Sequence, residues 1–226
     1  LSTNTALGRK PYVRHPSIVP AFAGLDPELT LGLPAYPTAT CGFDVFTHAL
    51  EAFTSLRATP YSDAVALKAI EMVAAHLRGV VADGSDLEGR AQMMLASSMA
   101  AIAFNVAGLG AAHGTGHALS ARLNAAHGQT LATMLPHVMD FNMPAVASKY
   151  AQVAAALGAP AKAEAAIGAV VTLRADIGIA RSITELGGSA AMIGQLAEDP
   201  APDGVDLTNP RPIPELDFET LYQAAA

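Results

Sequence analysis

Three of the chain's seven histidines, His113, His117 and His127, fall in one stretch, AAHGTGHALSARLNAAHG. A fourth, His48, follows Asp44 by four positions in CGFDVFTHALEAF, the same step that separates His117 from His113. Residues four apart on an α-helix share a face, so each pair can offer two donor atoms to one ion. His127 adds an imidazole close behind the second pair. A divalent transition metal takes three or four such ligands, and imidazole with one carboxylate suits Fe(II), Zn(II), Co(II) or Ni(II). Each pair also has a plainer reading. An Asp-x3-His pair is most often a surface hydrogen bond, and a His-x3-His pair is more often coincidence than a site. Spacing alone therefore admits a metal site without selecting its ligands. The apolar neighbours Phe43, Val45, Phe46, Ala111 and Ala112 favour burial, where polar groups need partners that one shared ion supplies.

Helices must carry these groups. Thr38 or Thr40 can cap one running to about Leu56, which would hold Asp44 and His48. Ser62-Asp63 opens a second through Arg78, with Ala66, Ile70, Val73 and Leu77 on one face. Asp86 opens a third. Its continuation, residues 93–112, is 20 residues without a charge, about the length that spans a bilayer. Because Ala, Gly and Ser dominate it and Asn105 lies near its middle, it reads as a central helix buried on all sides. Gly110, Gly114 and Gly116 weaken the helical pattern between His113 and His127, and Gly128, Pro136 and Pro144 punctuate the segment after His127. Residues 145–157, 162–173 and 189–197 predict three short helices, 199–214 a loop, and 217–225 a closing turn or two. Six prolines between Pro11 and Pro37 make residues 1–37 an irregular entrance, with short extended pieces around Tyr12 and Ile18. The expected fold is predominantly α, a multi-helix bundle-like domain over residues 38–226 with a short extended N-terminal segment.

Composition removes several alternatives. With 51% hydrophobic and 15% charged residues, a disordered chain is excluded. A net charge of −7 argues against nucleic acid and anionic membrane as partners. Cys41 is the single cysteine, so no internal disulfide is available, which fits a reducing, cytoplasmic setting. No basic segment followed by an apolar run marks a signal peptide.

Residues 26–53, DPELTLGLPAYPTATCGFDVFTHALEAF, resemble the signature of the iron-dependent (group III) alcohol dehydrogenases, which typically reads DPELT…P…TG-x-DALTHAIEAY. The stretch GAAHGTGHALSARLNAAHGQTLATMLPHVMDFN resembles that family's second signature, H-x3-H-x9-HG followed by Leu-Pro-x-Val-x-x-x-Asn. The ending AEDPAPDGVDLTNPRPIPELDFETLYQAA resembles its usual C-terminus. The resemblance implies the family's C-terminal helical metal-binding domain, of the dehydroquinate synthase-like kind. It implies Asp44, His48, His113 and His127 as ligands of Fe(II), with Zn(II) as the alternative ion. His117 would then line the pocket near the nicotinamide and the alcohol and relay the alcohol proton, and Lys10 would approach the cofactor. The implied reaction is oxidation of a small alcohol, or reduction of an aldehyde or ketone, with NAD or NADP. A homodimer or larger homo-oligomer is implied too. Gly114 and Gly116, flanking Thr115, fit close backbone approach to a ligand. His15, His76 and His137 match no ligand position.

The departures matter as well. Family members carry an N-terminal α/β nucleotide-binding domain with a GGGS-type loop, and nothing here resembles that loop, so the chain reads as the metal-binding half alone. The start at Leu1 favours a fragment of a longer dehydrogenase over a split product or a free-standing module. Cys41 stands where the family usually has Thr and reads as a small buried hydrophobe. Maleylacetate reductases share the fold but usually carry His-His where this chain has Ala112-His113. A dehydroquinate-synthase-like lyase would want more than 13 thinly spread Lys and Arg for a phosphorylated substrate. The alternative from a different class is a non-catalytic, metal-stabilised helical module.

Overall fold

The computed structural model describes residues 15–198 and 204–226. Among them the order is α1 (Ala35–Thr54), α2 (Pro60–Ala82), α3 (Leu87–Ala107), α4 (Ala111–Leu123), α5 (His127–Ala156), α6 (Ala163–Asp176), α7 (Ala190–Glu198) and α8 (Glu215–Ala224), with no strand. The predominantly α class expected from the sequence is what the chain adopts.

Local chemistry sets most of the boundaries. Thr59 caps α2 in a reciprocal box with Ser62, and Asp86 caps α3 by accepting the Gly89 N–H. Ala66, Ile70, Val73 and Leu77 are all fully buried, as their spacing predicts. α1 begins earlier than expected, on Pro34, with no side-chain cap. The Thr38 and Thr40 hydroxyls donate back to the Leu33 and Tyr36 carbonyls at 3.3 and 3.1 Å instead. Pro37 is tolerated because a first-turn N–H has no acceptor inside the helix. The extended piece expected around Ile18 is a 3-10 turn, Pro16–Ile18, and the one around Tyr12 lies outside the described residues. Arg90, buried in α3, fixes the approach to α1 by donating to Leu33 O, Thr38 Oγ1 and Gly84 O.

The central helix is α1, not the uncharged run of 93–112. α1 buries 14 of its 20 residues and packs on α2, α3 and α5. α3 leaves Leu95, Ile102 and Val106 about two-fifths exposed, so it is a peripheral helix with one covered face. The run itself is broken: α3 ends at Gly108, whose φ of +83° favours glycine, and α4 departs at 109°. No single helix among the described residues is long and apolar enough to cross a membrane.

The glycines expected to weaken α4 do not stop it. A Cβ on Gly116 would stand 2.7 Å from Leu131, so this glycine lets α4 lie close on α5. α5 likewise runs through Pro136, but two residues after Pro144 it kinks at Val146, whose φ/ψ of −134°/25° are non-helical, so two helical segments meet there. Lys149, beyond that bend, ties α5 to its neighbours by pairing with Asp63 at 2.9 Å and donating to the Phe53 carbonyl.

Candidate metal centre

α1 places Asp44 and His48 one turn apart on one face, and Glu51 lies on the next turn of it. α4 brings His113 and His117, and His127 is the first residue of α5. The three segments meet at one atom. Asp44 Oδ1 lies 3.4 Å from His113 Nε2, 3.5 Å from His48 Nε2 and 3.8 Å from His127 Nε2. Four ligands about 2.0–2.1 Å from a tetrahedral ion stand about 3.3–3.4 Å from one another, so this is the spacing of atoms that share a metal. The donor atoms of Asp44, His48 and His113 all lie within 4.8 Å of one another, and His127 Nε2 stands somewhat farther off, 3.8 Å from Asp44 Oδ1.

Two of these atoms are stranded without such an ion. Asp44 Oδ1 and His113 Nε2 are buried and make no hydrogen bond, and His127 Nδ1 is in the same position. Buried polar atoms without partners are costly, and one bound cation would satisfy Oδ1 and Nε2 together. His113 is nearly sealed, whereas the side chains of Asp44, His48 and His127 are about one-fifth exposed, which leaves one side of the cluster open to a small molecule.

The electrostatics suit a cation. Burial brings the His48 imidazole down to about 4 and that of His127 down to about 3, with further repulsion from His113 in both cases. Both rings are therefore neutral at physiological pH, the form that can donate to a metal. Burial would also lower His113, but Glu51 and Asp44 raise it to about 9. A metal taking its Nε2 must displace a proton there. Burial would push the Asp44 carboxyl up, yet the near contact with His113 and the charges of the three rings hold it well below the usual carboxylate range.

His117 stands beside the cluster. It is buried, its ring is edge-on to His113 at 5.8 Å between centroids, and it lies 5.1 Å from the His127 ring. Cys41 is exposed on α1, not the small buried hydrophobe its setting suggests, and partial desolvation with the nearby Asp44 charge raises its thiol. Lys10 lies outside the described residues. His137 borders a separate cavity of about 300 Å³ between α5 and α8.

Two neighbours were not anticipated. Phe104, in the last turn of α3, stacks on His48 at 4.6 Å and walls that side of the cluster. Glu51 is 4% exposed, and its Oε2 lies 2.6 Å from His113 Nδ1. Its place three residues after His48, on the same face of α1, was the signal that could have found it.

The Gly128 beside His127 has a steric reason. A Cβ there would lie 1.9 Å from the Thr40 carbonyl oxygen, so only glycine lets the start of α5 press onto the backbone of α1 and bring His127 to Asp44.

Residues 38–226 match the family described as "Fe-containing alcohol dehydrogenase family, C-terminal". The probable alcohol dehydrogenase EutG of Escherichia coli strain K12 is 39% identical over 96% of this chain, which spans 55% of that relative. The NAD-dependent methanol dehydrogenase of Bacillus methanolicus is 35% identical over 99% of this chain, which spans 60% of it. The crystal structure of a 1,3-propanediol oxidoreductase superposes with a TM-score of 0.85 at 38% identity, covering 89% of this chain and 55% of that one. The chain thus spans little more than half the length of these relatives. Over that span it belongs to the Fe-containing alcohol dehydrogenase family, of which it carries the C-terminal, helical part.

Proposed function

We propose that this chain is the metal-binding half of an alcohol dehydrogenase, with Asp44, His48, His113 and His127 as ligands of a divalent iron. The observation that carries this reading is the meeting of three Nε2 atoms on Asp44 Oδ1 at 3.4–3.8 Å. Zinc would accept the same donors, and the family description favours iron. An ion held by these four residues would supply Lewis acidity toward an alcohol oxygen, and a nicotinamide cofactor would supply the hydride-accepting chemistry. NAD is the cofactor named for the methanol-oxidising relative and is our choice over NADP.

The chain's own residues divide the remaining work. Asp44 contributes the single negative charge, so three neutral imidazoles and one carboxylate leave a divalent centre at net +1 and still electrophilic. His117 stands next to the open side and hands the alcohol proton to water. Phe104 excludes water on the His48 side and steadies that ring. The methanol and 1,3-propanediol enzymes among the relatives support small alcohols and the corresponding aldehydes as substrates.

The test is alcohol-dependent reduction of NAD⁺ or NADP⁺ by the full-length protein before and after chelation. The reading expects chelation to abolish turnover and Fe(II) to restore it. Turnover indifferent to metal removal would overturn it.

A further inference from the structure

α4 begins on Gly110 and has no capping side chain of its own, yet its first N–H groups are buried. Two distant residues supply the acceptors. Glu51 Oε2 accepts from Gly110 N–H at 2.9 Å, Glu51 Oε1 from Ala112 N–H at 2.6 Å, and Asn209 Oδ1 from Ala111 N–H at 3.2 Å. Asn209 is itself fixed by a reciprocal pair of hydrogen bonds with Asn142. Asn209 therefore grips the helix alone, whereas Glu51 grips the helix and the ring of His113 together.

A carboxylate accepts and does not donate, so the proton in the 2.6 Å contact belongs to His113 Nδ1. The other nitrogen, Nε2, faces Asp44 and is the one whose lone pair becomes available once an incoming metal displaces its proton. We propose that Glu51 is the positioning residue of the metal centre, locking His113 with Nε2 toward the ion while anchoring the helix end that carries it. The proposal rests on the metal reading above. Rotating His113 away would strip a buried carboxylate of one partner, so the ring is held before any ion arrives. The arrangement also makes α1 self-sufficient on one face: Asp44 and His48 ligate, and Glu51 orients the ligand contributed by α4.

The experiment titrates Zn(II) alone against a chromophoric chelator, comparing wild type with Glu51→Gln. Glutamine keeps the size but must turn an NH₂ toward one of the donors that Glu51 satisfies. Zn(II) affinity is expected to fall about 10–100-fold, the usual effect of losing an outer partner of a metal-bound histidine. Helical circular dichroism should be retained. Equal affinity in the two proteins overturns the positioning role and leaves the metal reading standing, whereas a wild type that binds no Zn(II) overturns both. Should Glu51→Gln fail to fold, long-range ¹H–¹⁵N spectra of the Zn(II)-loaded wild type decide. A His113 proton on Nδ1 supports the proposal, and one on Nε2 overturns it.

Discussion

His127→Ala is expected to leave Fe(II) loading without bound metal, while His117→Ala keeps a full equivalent and loses turnover. The two residues are ten apart, both are histidines, and their rings lie 5.1 Å from each other. Only one has its Nε2 on Asp44 Oδ1, at 3.8 Å. Removing it takes away a ligand and opens a corner to water, so the loss should exceed the about 10–100-fold drop seen when an outer hydrogen bond to a ligand is removed. His48→Ala should behave likewise, from 3.5 Å. His117 offers a proton path, and its replacement should lower turnover by about 10²–10⁴-fold, the usual contribution of a positioned acid or base. Elemental analysis after desalting, paired with steady-state kinetics of the full-length protein, separates the two. A full equivalent of metal in His127→Ala would break the proposed ligand set.

The second large effect is expected at Gly128→Ala. The added methyl would meet the Thr40 oxygen at 1.9 Å, the carbonyl carbon at 2.6 Å and the Cα at 3.1 Å. All three are backbone atoms of the most buried helix, so no side chain can swing away. Relief requires the start of α5 to lift off α1, and His127 moves with it. Overpacking of this kind costs about 1–3 kcal/mol, and the absence of any flexible neighbour puts this site at the upper end. For a domain of this size that is a fall in melting temperature of about 6–12 °C in the metal-free chain, together with weaker metal retention. A variant that melts with wild type and binds metal as tightly would show that α1 and α5 have slack which the structure does not display.

How much of this was legible beforehand depends on the range of the interactions involved. α2 and its buried face follow from periodicity alone, because Ala66, Ile70, Val73 and Leu77 repeat at helical spacing. The caps of α2 and α3 are local too. α4 was harder to read, since its glycines lower intrinsic helicity and the groups that hold its first turn, Glu51 and Asn209, come from 59 and 98 residues away. The passage of α5 through Pro136 has the same origin, tertiary packing overriding propensity, whereas the break at Gly108 and the kink after Pro144 follow local backbone chemistry. At the site, the i,i+4 spacing found both pairs, but the choice of His127 over His117 as a ligand came from the family resemblance. The proposed set draws on the 3.8 Å between His127 Nε2 and the Asp44 oxygen.

The central claim is that one ion sits among Asp44 Oδ1 and three Nε2 atoms. It is tested most directly by crystals grown with Fe(II) under anaerobic conditions and an anomalous difference map recorded at the iron edge. The account expects a single strong peak about 2.0–2.2 Å from each of those four atoms. A map with no peak there, or with iron bound elsewhere on the chain, would contradict it.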